Sequence, residues 1–189
     1  MKVILKNVRL SYPSLFKATS FTGQDGNTSD PKYSGTFIMD KEENAADIKK
    51  LEAAINQMVK ENFKGNHKAL KGVCLRDGAE KTDDAGDPKD GYGDAVMFTT
   101  AANKSRPQIV GRNKSVPITE EDGVIYAGCY VNVVIGLWAQ SNGFGKRVNA
   151  NLLAVQFVGD GTPFGEASVN VDEVFDDLED EDGEESFLD

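Results

Sequence analysis

Four residues near position 140 have types and spacing that suit one chemistry. Trp138, Phe144, Lys146 and Arg147 fall on the two arms and the turn of a sequence that reads as a β-hairpin. An aromatic face beside a cation stacks an unpaired base and holds the phosphate that follows it. A second window adds charge: Lys104, Arg106, Arg112 and Lys114 are four bases with no acid between Ala95 and Thr119. Interleaved with strand residues, they suit a phosphate-tracking edge. The structural alternatives are a solvated basic face for the four cations and an indole covering a second hydrophobic layer for Trp138.

Other chemistries find less support. Asp84, Asp87 and Asp90 sit in a Gly-rich loop over 77–94, but they are spaced by three, Pro88 interrupts them and no Glu closes the loop. Calcium loops place ligands at every second position and end on a bidentate Glu. His67 is the one histidine and has no cysteine or second histidine beside it, so no zinc site is expected. Gly143-Phe144-Gly145-Lys146 lacks the glycine spacing and the Ser or Thr of a phosphate loop. No nucleophile elbow or paired-carboxylate motif stands out. No catalytic residue, metal or cofactor is expected.

The elements that must position these residues follow from pattern. Val131, Val133, Ile135, Leu137 and Ala139 share one strand parity, which places Trp138 on the opposite face. Ser141 to Gly145 form the turn, and a return strand runs through Leu152, Leu153, Val155 and Phe157. Earlier strands are expected at 2–10, broken by Pro13, and at 33–39, with shorter ones at 73–75, 95–100 and 108–110. Ile48, Leu51, Ile55, Met58, Val59 and Phe63 make one helical stripe. Asp40 with Glu43 is the expected capping box, and Gly65 the stop. Lys60, Lys64, Lys68 and Lys71 gather at the helix's C-terminal end, where the dipole favours cations.

The chain has 189 residues and a net charge of −10. Eleven acids and no base lie between Asp172 and Asp189, so residues 1–171 hold 21 bases against 20 acids. So charged a stretch is expected to stay disordered. Its tip, Phe187-Leu188-Asp189 after Glu184-Glu185, offers an apolar end to a partner, or the arm covers a basic groove on its own domain. No run of about 18 apolar residues is present, so no membrane span is expected. The start lacks the features of a signal peptide, and Cys74 and Cys129 read as buried thiols of a reducing cytoplasm.

The sequence also resembles a known family. Leu10-Ser11-Tyr12-Pro13-Ser14-Leu15-Phe16, Asp90-Gly91-Tyr92-Gly93-Asp94, Gly128-x-Tyr130-Val131-Asn132 with Trp138-Ala139, and Leu152-x-x-Val155-Gln156-Phe157-Val158-Gly159-Asp160-Gly161 are similar to motifs of phage single-stranded DNA-binding proteins. The resemblance covers most of 3–165. It implies a non-enzymatic protein of bacterial host cytoplasm that coats single strands in replication, recombination and repair and recruits replication or recombination proteins through its tail. Tails of that family commonly finish on an aromatic residue; here Leu188-Asp189 follow Phe187.

The expected architecture is mainly β: an oligonucleotide-binding (OB-fold-like) barrel of five or six strands with one inserted helix over 1–165, and an acidic disordered tail over 166–189. The expected function is sequence-independent single-stranded DNA binding. Lys104, Arg106, Arg112, Lys114, Lys146 and Arg147 would neutralise phosphates, and Trp138, Phe144, Tyr92 and Tyr12 would stack bases. A homodimer is left open. The rival reading is an acidic DNA mimic, an adaptor or inhibitor that binds a basic host protein. A small hydrolase using the loop aspartates is the third.

Overall fold

Alternating apolar residues drive two long strands, and everything else in the molecule is arranged on them. In a computed structural model, which describes residues 1–23 and 26–165, β7 (Tyr130–Asn142) and β8 (Gly145–Gly159) form a hairpin along their whole length. Val131, Val133 and Ile135 are fully buried, while Trp138 is 41% exposed, so the expected parity holds.

The other strands extend this hairpin on both sides. β1 (Lys2–Thr19) pairs antiparallel with β7 and with β2 (Lys32–Asp40), and β2 pairs with β5 (Val96–Asn103). Three short segments finish the sheet: β3 (Leu70–Val73) and β6 (Gln108–Val110) run parallel to β8, and β4 (Leu75–Asp77) lies beside β5. The order is β3-β8-β7-β1-β2-β5-β4, with β6 also on β8. Among the described residues there are eight strands, where the sequence suggests five or six. The short strand expected at 108–110 is β6, and the one expected at 73–75 falls across two short strands, β3 and β4, on opposite edges of the sheet.

A closed barrel is not what the ladders show. Among the described residues no ladder joins β5 to β8; the two approach at Asn103, whose side-chain amide donates to the Leu152 carbonyl at 3.1 Å.

Pro13 does not end β1. The strand passes through it on a bulge, because register shifts between Ser11↔Thr36 and Ser14↔Ser34. A bulge leaves a residue unpaired, so the missing N–H costs no ladder bond. Tyr12, just before it, takes φ +47°.

The one α-helix among the described residues, α1 (Ala45–Phe63), turns Ile48, Leu51, Ile55, Met58, Val59 and Phe63 onto β1, β7 and β8. Leu51 and Val59 are completely buried, worth about 1.5–3 kcal/mol each. The helix starts later than the capping box suggests. Asp40 Oδ1 accepts from the Glu42 and Glu43 amides and so caps a preceding turn; Asn44 holds the N-cap position. Lys64 takes the left-handed C-cap conformation, and Gly65 follows at φ +74°. Among the described residues no helix is long and apolar enough to cross a membrane. The expectations for 166–189, including Glu184, Glu185, Phe187, Leu188 and Asp189, lie outside the described residues.

Candidate nucleic-acid interface

Trp138 stands on the outer face of β7, opposite Asn149 of β8. Period-two alternation puts it there, since its neighbour Leu137 belongs to the core. On the same face Gln140 pairs with Arg147. The amides are locked to one another: Asn149 Nδ2 donates to Gln140 Oε1 at 2.9 Å, and Gln140 Nε2 donates to Asn142 Oδ1 at 3.1 Å.

This face forms one wall of a groove of about 730 Å³. The opposite wall is β5, with Thr100 and Ala102, followed by Lys104 just past its end. Lys32 at the start of β2 and Arg76 on β4 complete the rim, and Asn149 and Asn151 also face into it. The Thr100 hydroxyl is hydrogen-bonded to that of Thr36 at 3.2 Å. Cys74 lines the groove, and burial pushes its thiol up from the usual value.

The three cations differ in how free they are. Lys104 Nζ lies 2.6 Å from Asp30 Oδ2, and this contact holds the Asp30 carboxyl below its ordinary range. Arg76 is paired with Glu80 at 2.9 Å and reaches over the Phe98 ring at 5.6 Å. Lys32 has no ion pair among the described residues. Both pairs are exposed and screened by solvent, so a phosphate can displace the carboxylate.

The hairpin tip sorts the expected residues by face. Gly143-Phe144 is a two-residue turn, held by the Phe144 amide donating to Asn142 Oδ1, and Phe144 is 79% exposed. Arg147 shares the Trp138 face. Lys146 does not: it pairs with Ser141, has the opposite parity, and its ammonium sits 5.9 Å from the Phe63 ring at the end of α1. The expected meeting of Trp138 with Lys146 is therefore corrected, because consecutive strand residues cannot share a face. β3 brings Lys71 to the tip instead, its side chain packed where a Cβ on Gly145 would stand.

The remaining candidates lie elsewhere. Arg106 stacks over Phe16 at 5.9 Å. The Arg112 carbonyl accepts from Gln156, seven residues along β8 from Asn149 or about 23 Å of strand, and Lys114 follows in the same loop. Tyr92 is tied down: its hydroxyl donates to Ser11 Oγ at 3.0 Å and its ring meets Phe98 edge-on at 5.3 Å. Burial raises the Tyr92 phenol above its ordinary value. Tyr12 is 52% exposed, on a second cavity that Tyr92 also lines. Lys32, Arg76, Asn149 and Asn151 were not singled out by sequence reasoning. Only the register of four separate strands brings them to Trp138.

An open groove with an indole, locked amides and cations at its rim defines a surface for an extended anionic chain. Among the described residues no group of three His, Cys, Asp or Glu side chains is placed to hold a metal. Family comparison agrees in class: residues 1–187 match the family described as Enterobacter phage Enc34, ssDNA-binding protein. The chain belongs to that family, whose members act by binding rather than catalysis.

Among relatives, the putative protein p50 of Acyrthosiphon pisum secondary endosymbiont phage 1 is 37% identical over 187 residues, covering 94% of each chain. Among solved structures, the single-stranded DNA-binding protein from bacteriophage Enc34 is similar with a TM-score of 0.70 and 30% identity over 93% of this chain and 90% of that one. The same phage protein in complex with ssDNA is similar with a TM-score of 0.69 and 30% identity, over 87% and 89%.

Proposed function

We propose that this protein coats single-stranded DNA without sequence preference, using the groove between β5 and the β7–β8 hairpin. The observation that carries the reading is Trp138, half exposed on the groove face, with Lys32, Arg76 and Lys104 on the rim and Arg147 beside it toward the hairpin tip. The indole stacks one base, Phe144 offers a second ring at the tip, and the cations neutralise successive phosphates. The strand order up to the β5–β8 seam suits a partly open oligonucleotide-binding barrel, which presents a strand face between loops to single strands. Gln140 and Asn149 spend part of their hydrogen-bonding capacity on each other, which fixes their orientation and favours indifference to sequence. The relative solved with ssDNA adds support.

Residues 1–165 are the binding body on this reading, and 166–189 an acidic arm that competes for the groove. The arm's Phe187-Leu188-Asp189 tip recruits proteins of phage replication, recombination and repair.

A salt titration with labelled oligo-dT tests the proposal. Three or four phosphate contacts give a slope of log affinity against log salt of about −2 to −3. Trp138→Ala removes the sole tryptophan and weakens binding by about 1–3 kcal/mol, the value of one stacked base. Affinity that ignores both salt and this substitution overturns the reading.

A further inference from the structure

A second cavity, of about 620 Å³, lies against β1 at Ser11–Pro13 and shares no lining residue with the Trp138 groove. Its walls are rings and prolines: Tyr12, Pro13, Pro88, Tyr92 and Phe164. The surroundings are strongly anionic. From Asp77 to Asp94 there are seven acids and two lysines. Asp77 and Glu80 are spent on Lys41 and Arg76, whereas Asp83, Asp84, Asp87, Asp90 and Asp94 form no ion pair among the described residues. Asp83 and Asp90 line the cavity itself together with Lys89, and the excess of unpaired acids in the surrounding loop leaves the rim anionic.

The cavity is built rather than incidental. Gly91 adopts φ +80°, and the Phe164 ring occupies the space where its Cβ would stand. Phe164 is held from two sides: its amide donates to the Ala127 carbonyl at 3.0 Å and the Arg9 guanidinium covers its ring at 4.0 Å, while Arg9 is itself fixed by donating to the Thr162 carbonyl. Tyr12 is kept exposed by the bulge before Pro13, and Lys81 Nζ lies 5.1 Å from its ring. This wall thus already accepts a cation over an aromatic face.

Anionic rims repel phosphates, so the cavity is a poor continuation of the DNA track. Aromatic-lined grooves take proline-rich extended segments, whose preformed conformation loses little entropy on docking. We propose that the Tyr12–Pro88–Phe164 cavity docks a basic, proline-containing segment of a partner protein, with its prolines between the rings and its arginines against Asp83, Asp90 and the Tyr12 face. The site is separate from the DNA groove and does not rest on the reading of that groove.

The test uses the full chain and a fluorescein-labelled short peptide with a proline-leucine-proline centre and arginines at both ends. Fluorescence anisotropy is expected to saturate, and NMR to show shifts in the Tyr12 and Phe164 rings without a shift in the Trp138 indole. The same peptide with glutamates for arginines should not bind. Tyr12→Ala should weaken the basic peptide by about fivefold or more, as removal of a buried aromatic anchor does. Asp90→Asn should weaken it as well while leaving oligo-dT affinity unchanged, which also shows that the variant is folded. Any of three outcomes overturns the proposal: no saturation, equal binding of the acidic peptide, or oligo-dT shifting the Tyr12 and Phe164 rings in place of the peptide.

Discussion

Lys104 and Asp30 form a 2.6 Å ion pair at the lip of the Trp138 groove, so one of the cations on the proposed DNA path already holds a carboxylate. Any phosphate there must replace Asp30. Asp30→Asn removes the competitor without changing shape. Oligo-dT binding should tighten at low salt, and the slope of log affinity against log salt should steepen by about 0.7, the value of one added contact to a single strand. An unchanged slope in a salt titration means that Lys104 does not touch the phosphates.

Lys146 and Arg147 are neighbours in sequence with opposite orientations. Arg147 shares the face of Trp138, and Lys146 points to Phe63 at the end of α1. Arg147→Ala should therefore reduce the salt slope by about 0.7. Lys146→Ala should leave that slope alone and act on stability, through loss of a cation–π contact worth about 0.5–1 kcal/mol. Equal effects of the two on DNA affinity would show that the faces are not distinguished by the ligand.

That contrast marks what residue order reveals here. The alternation from Val131 to Leu137 identifies the face of Trp138, and the helical stripe from Ile48 to Phe63 identifies the core face of α1, because burial imposes a period on both. The groove's other wall carries no such mark. Lys32, Arg76 and Lys104 come from three separate strands or their ends, and only the pairing β2–β5–β4 assembles them. Pro13 misleads in the opposite way. Its missing N–H suggests a break, yet a bulge absorbs it and β1 continues to Thr19.

Gly91 and Phe164 make a lock between the 78–94 loop and the last described segment. A methyl group at Gly91 meets the Phe164 ring on a backbone of φ +80°. Gly91→Ala should cost about 1–3 kcal/mol in urea unfolding, the usual range for overpacking. Phe164→Ala vacates the space, so the double variant should be less destabilised than the sum of the two. Additive losses would mean that the ring and the glycine do not touch.

The acidic arm makes a separate prediction. Deleting 172–189 removes eleven acids and no base. On the proposed reading the arm acts on its own domain at an effective concentration of up to roughly millimolar, enough for a weak contact to compete with DNA. Oligo-dT should bind the shortened chain more tightly at low salt, with the gain shrinking as salt screens the arm. Unaltered affinity at low salt would rule out competition for the groove.

Asp40 couples the start of the helical segment to pH. Its carboxylate accepts from the Glu42 and Glu43 amides at 2.8 and 3.0 Å, and these bonds hold its pKa below the ordinary 3.8. A lowered folded-state pKa means that the unfolded chain takes up the proton first. The stabilisation is thus complete above pH about 4 and is lost as pH falls through the depressed folded value. Asp77 behaves alike, through Lys41 and then the Ala79 amide. Asp40→Asn should lower the melting temperature at pH 7 and flatten its fall between neutral pH and pH about 3. Parallel melting curves for the wild-type chain and the variant across that range would show that the Asp40 turn carries none of the acid sensitivity.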